Sequence, residues 1–235
     1  MTALDADGSA HPAHVPTTEE GIPLIAVEPA VVGLLAGDPM MLGLPTFIVG
    51  SFALGLALIG AQVPVGSFGA ALAVILTATS IGLFISAVWA IAVGQSAVAS
   101  IFGIFGGFWL SLVVLVAGGV DHNWFAFAAP AAAGAPASNI SVGAIELFLI
   151  TWLIIVGMYT LATLRLPVAY TLLLLLIALA LIFVLLGVSG ASTGDLKTAG
   201  AFTIAFASIG VYLFFGSASV ATGGKPLPLG PPILK

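Results

Sequence analysis

The sequence predicts an all-α polytopic membrane protein with six transmembrane helices. Of its 235 residues, 61% are hydrophobic and only 6% are charged, and the mean hydropathy is +1.29. Apolar runs recur at 40–60, 68–93, 99–120, 142–163, 167–189 and 198–216, each near the roughly 20 residues that an α-helix needs to cross the hydrocarbon core. Four basic and nine acidic residues are too few to clothe a soluble domain of this length.

The first helix is expected to open at Asp38-Pro39. Aspartate is a favoured N-cap, and proline at the first helical position gives up no hydrogen bond. The short apolar run at 29–37 cannot span a bilayer and is read as lying at the interface. Short connections at 61–67, 94–98 and 164–166 make the helices they join antiparallel neighbours. The second helix carries Gly82, Ser86, Ala90 and Gly94, and the third Ala99, Gly103, Gly107 and Ser111. Small residues at four-residue spacing let helix backbones approach in lipid, which supplies no hydrophobic reason to associate; lining a pore is the alternative use of these stripes. The long connection at 121–141 holds Trp124, a residue suited to an interfacial belt.

Three domains follow: an acidic N-terminal tail at 1–28, a six-helix membrane domain at 29–216 and a cytoplasmic C-terminal tail at 217–235. The tail at 1–28 lacks a basic start and an early apolar core, so it does not read as a signal peptide; its Asp, Glu, Pro and Thr content reads as disorder. A net charge of −5 argues against nucleic acid as a partner. Threading six helices puts Arg165, Lys225 and Lys235 on the side of both termini and Lys197 opposite. The positive-inside bias then makes both termini cytoplasmic.

The absence of cysteine excludes disulfides, thiolate metal sites and cysteine nucleophiles. Gly187-Val188-Ser189-Gly190 and Gly190-Ala191-Ser192-Thr193-Gly194 match serine-nucleophile patterns, the first of them that of rhomboid proteases. Yet His11, His14 and His122 all precede these serines, whereas a rhomboid supplies its base from a later helix. The nucleophile elbow also follows a strand, and here a membrane helix precedes it. No pair of histidines or carboxylates recurs at ligand spacing in a span. The expectation is a non-enzyme with neither metal nor cofactor. Two carboxylates stand in or near the spans: Asp38, a cap or a proton partner, and Glu146, an interfacial group or a protonatable one beside a path.

Gly37-Asp38-Pro39-Met40-Met41-Leu42-Gly43-Leu44 resembles the Asn-Pro-Ala-Pro-Leu-Gly-Leu signature of the acetate uptake transporter family (YaaH type). Phe102 and Phe105-Gly106-Gly107-Phe108-Trp109-Leu110-Ser111 are similar to its Phe-x-x-Tyr-Gly-x-Phe-Trp-Leu-Thr segment. Trp152, Thr163-Leu164-Arg165, Tyr212 and Gly224-Lys225-Pro226-Leu227-Pro228-Leu229-Gly230 follow in the family's order, so the resemblance spans about 38–230. It implies a multi-pass protein of the cell (plasma) membrane that moves acetate and related small monocarboxylates, some members of the family taking succinate, assembled as a homohexamer with a path through each protomer. By position it places Asp38, Pro39, Leu42 and Gly43 at a substrate vestibule and Phe47, Phe105 and Ile177 at a constriction. Asp38 stands where the family has Asn, Met40-Met41 where it has Ala-Pro, and Phe105 where it has Tyr.

A bare carboxylate is costly in an apolar constriction, and an entering anion climbs the membrane potential at about 2.3 kcal/mol per charge per 100 mV. A proton carried with it removes both costs, so proton coupling is expected. The helix 1 N-terminus, with free N–H groups and partial positive charge, is the expected place for the acid to bind. The alternatives are a channel for urea, amides or ammonia, and a non-transporting scaffold whose acidic tail recruits a protein.

Overall fold

The computed structural model describes residues 36–121 and 137–234, and side chains only outside 119–121 and 137–141. The expectations for the acidic tail at 1–28, for most of the run at 29–37 and for the loop around Trp124 lie outside the described residues. The chain divides at Ala36 into two units, and the unit from Gly37 onward carries the helices.

Six helices are long and apolar enough to cross a membrane. They are α1 (Met40–Ile59), α2 (Phe68–Ala92), α3 (Ser96–Gly118), α4 (Ala137–Ala162), α5 (Val168–Ser189) and α6 (Thr193–Ala221). Helices α4 and α6 outrun the apolar stretches by several residues. Apolar length measures the thickness of hydrocarbon, whereas a helix continues into the interface wherever Ala, Ser, Thr and Lys permit. Helix α6 runs on to Ala221, into the segment at 217–235 read from sequence as the C-terminal tail.

Each helix packs on its neighbours in sequence, and α6 returns to α1. The contacts run α1 to α2, α2 to α3, α4 to α5, α5 to α6 and α6 to α1. Phe108 on α3, meeting Phe148 and Trp152 on α4, and the hydrogen bond between Ser100 and Tyr159 join α3 to α4. The result is a closed ring of six helices in chain order. With antiparallel neighbours, the starts of α1, α3 and α5 share one end of the ring with the ends of α2, α4 and α6.

Glycine sets the closest crossings. A Cβ on Gly200 would lie 2.9 Å from the Gly55 carbonyl oxygen, and one on Gly55 2.9 Å from Ile204 Cγ1, so α1 and α6 meet backbone to backbone. Gly82 admits Thr46 of α1 in the same way, and Gly103 lies beside Ala87. Of the two stripes of small residues on α2 and α3, Gly82 thus serves close packing, Gly94 faces open space, and none of the members lines a cavity described below.

Local backbone chemistry explains the irregular places. At Ile75–Ser80 α2 widens into a π turn, with the Ser80 hydroxyl donating to the Ile75 carbonyl at 2.9 Å. Pro45 inside α1 removes one helical N–H, and the neighbouring Thr46 hydroxyl donates to the carbonyls of Leu42 and Gly43. Gly60, at φ 84°, takes the left-handed conformation that ends α1.

Candidate functional site

Two cavities lie along the interior of the ring and meet at one pair of rings. The larger, about 220 Å³, is walled at the α1-start end by Met40, Leu44, Ile101, Phe102, Tyr170 and Leu174 among others. The smaller, about 40 Å³, lies towards the other end against Leu54, Trp109, Ile177, Leu181 and Thr203. Phe47 and Phe105 line both.

The two rings contact edge to face, with centroids 5.8 Å apart and planes at 68°. This is a favoured aromatic geometry. Phe206 of α6 closes on Phe47 from the other side at 5.7 Å. Phe47 and Phe105 are only 5% and 6% exposed, so the contact between the two rings is buried. Ile177 borders the smaller cavity alone.

Phe47 reaches the axis because α1 turns one face inward. Leu44, Phe47, Ser51 and Leu54 follow at helical spacing and are buried, while Val49 and Leu56 face out. Ser51, fully buried, returns its hydroxyl to the Phe47 carbonyl at 2.7 Å. On α3, Phe102, Phe105, Phe108 and Trp109 form the buried face. Gly43 is where Phe102 fits, since a Cβ there would overlap the ring.

Among the described residues, the walls contain no ionisable carboxylate or cation. In the larger cavity only Thr163 and Tyr170 carry side-chain hydroxyls, and Thr163 spends its own on the Thr160 carbonyl at 2.9 Å. Tyr170 has the Met40 sulfur at 4.0 Å, a weak partner. Beside the smaller cavity, Trp109 is 2% exposed and its indole Nε1 has no hydrogen-bond partner among the described residues.

Asp38, Pro39, Leu42 and Gly43 sit at the start of α1 without lining either cavity; Met40 and Leu44, their neighbours one helical turn apart, do. Asp38 Oδ1 accepts the Met40 N–H at 2.9 Å, and Pro39, with φ −56° and ψ −21°, is already helical. The aspartate thus has the geometry of an N-cap. Glu146 stands away from both cavities and accepts the Ser189 hydroxyl at 2.6 Å. Ser192, the serine of the elbow-like pattern, caps α6 by accepting the Asp195 N–H at 3.2 Å. The residues not singled out from sequence are Met40, Leu44, Tyr170 and Phe206. Met40 and Leu44 were readable from Phe47, being seven and three residues before it on one helical face, whereas Tyr170 and Phe206 needed the packing of α5 and α6.

No individually curated protein matches the sequence. A solved structure of the bacterial acetate channel SatP is similar, with a TM-score of 0.67 and 18% identity over 83% of this chain and 99% of that one; at that identity the likeness is one of fold. The sequence pattern of the GPR1/FUN34/yaaH family matches residues 29–225. Six apolar helices and this match over most of its length make the chain a member of the GPR1/FUN34/yaaH family, the acetate uptake transporters.

Proposed function

We propose that this protein is a transporter or channel for acetate and related small monocarboxylates, which cross it in uncharged form. One observation carries the reading: two apolar cavities stand end to end on the axis of a helix ring, with the touching rings of Phe47 and Phe105 in the wall of both. A path that ends in a pocket on both faces of a shut aromatic pair is the form of a gated passage. The family and the acetate channel of like fold point to the same class of cargo.

The lining decides the charge state. Two walls without a cation offer a carboxylate nothing to replace its water, so the ionised acid is excluded and the neutral acid admitted. Carboxyl groups have reference pKa values near 4, so roughly one molecule in a thousand is neutral at pH 7. Proton and acid then move together, and an inward proton gradient draws the acid in. The same scarcity of hydrogen-bonding groups disfavours urea and amides, which would lose their water without compensation. Phe47, Phe105 and Phe206 form the gate, with Ile177 behind it, and Asp38 holds the helix end that frames the entrance. We place the protein in the cell membrane with both termini cytoplasmic, and as a homohexamer, on the charge bias and the family resemblance.

Labelled acetate uptake into proteoliposomes tests the reading. An imposed inward proton gradient is expected to accelerate uptake over protein-free vesicles while urea flux stays at background. Phe47→Ala and Phe105→Ala are expected to change the acetate rate severalfold at equal reconstituted protein. Uptake indistinguishable from empty vesicles would refute the proposal; variants that alter only yield would reduce the two rings to packing residues.

A further inference from the structure

Size and chemistry of the larger cavity single out a class of acid that acetate does not represent. An apolar cavity of about 150 Å³ is enough to hold benzene, and this one measures about 220 Å³. Its wall is built from Met, Leu, Ile, Val and Phe side chains. Acetic acid would bury a single methyl group there and leave most of the wall without partner atoms. The chamber beyond the gate, at about 40 Å³, is several times smaller, so what fills the first space cannot be stored in the second.

We infer that the vestibule binds undissociated monocarboxylic acids of about four to six carbons more tightly than acetate, and that these acids compete with acetate for passage. The alkyl chain lies among Leu44, Ile101, Phe102 and Leu174, and the carboxyl group meets Tyr170. That hydroxyl is the one in the wall not already donating to a helix carbonyl: Thr163 is bonded to Thr160, while Tyr170 has only the Met40 sulfur at 4.0 Å. Dicarboxylates are rejected, because a second carboxyl group would be buried against hydrocarbon. Met40, which stands where the resembled signature has Ala, contributes its flexible side chain to the wall. The inference rests on the proposed transport function and specifies its entrance site.

The test uses the whole chain, purified in detergent, titrated calorimetrically at pH 5 with acetate, propionate, butyrate, valerate and succinate. Affinity is expected to tighten about fourfold per added methylene until the cavity is full, with no binding of succinate. Butyrate is also expected to inhibit labelled acetate flux in proteoliposomes at lower concentration than unlabelled acetate does, after subtraction of protein-free vesicles. Tyr170→Phe is expected to weaken the whole series by a similar factor of about five. Ala97→Leu, which fills the cavity from its exposed rim, is expected to lower the ratio of butyrate to acetate affinity. Acetate flux without any gain in affinity along the series would overturn this inference and leave the transport function standing. Absence of both binding and flux for every acid would overturn the transport function itself. Unequal effects of Tyr170→Phe along the series, or none, would remove the hydroxyl from the site.

Discussion

Thr79 shows how a single side chain records a compromise in the bundle. It is fully buried in the π turn of α2, its hydroxyl has no partner among the described residues, and Gly50 of α1 leaves the space that it fills. An unsatisfied buried hydroxyl is a cost that an isosteric methyl group does not carry. Thr79→Val is therefore expected to stabilise the protein by about 1 kcal/mol, read as a raised thermal or denaturant midpoint in detergent; a lower midpoint would mean that the hydroxyl has a partner in the membrane. Individual residues are also where sequence reading was most uneven. Phe47 and Phe105 were singled out by their position in the family resemblance, and in the structure their rings are in contact. Asp38, Pro39, Leu42 and Gly43 were legible as a helix start, but a motif does not tell which of its side chains face inward. Glu146 drew attention by its charge alone, and its bond to Ser189 sits away from both cavities.

Among elements, the pairing of α1 with α6 bears most on the passage, because Phe47 and Phe206 stand on these two helices. Their crossing depends on Gly55 and Gly200, where any Cβ meets backbone that cannot rotate away. Gly200→Val is expected to cost about 1–3 kcal/mol of stability through overpacking, seen as a lower unfolding midpoint, whereas Gly69→Ala, at an open position, is expected to leave the midpoint nearly unchanged. The existence of six helices was plain from apolar length, since the bilayer fixes a minimum that few other segments reach. Helix ends were not, because polar residues such as Thr193, Asp195 and Lys197 extend α6 beyond the hydrocarbon. Of the two serine patterns near α5 and α6, Ser189 donates its hydroxyl to Glu146 and Ser192 caps α6, and a cap needs only an oxygen three residues before an N–H.

For the whole molecule, a ring of helices in chain order keeps both cavities inside and leaves its outer face to lipid. Residues such as Ile85, Val88, Ile154 and Leu161 are exposed on that outer face, as suits a hydrocarbon solvent. If the passage takes only neutral acid, acetate flux at fixed total acid and no gradient is expected to fall about tenfold per pH unit above the carboxyl pKa; a rate constant between pH 6 and pH 8 would show that the anion passes. Ring order was not legible in the sequence, since hydropathy says that helices span but not which ones touch; contact between α6 and α1 is a product of glycine shape rather than of apolar length. The segment after α6 adds a constraint in time. Leu234 N–H bonds the Leu164 carbonyl at 2.9 Å, and Ala169 N–H bonds that of Leu229 at 3.2 Å, so it ties down the α4–α5 connection, from which Thr163 and Leu166 reach the larger cavity. A ribosome delivers these stretches in order, N-terminal part first. The rim around Leu166 thus waits for the final dozen residues before it is fastened, and a nascent chain holding all six spans still has an unfinished doorway.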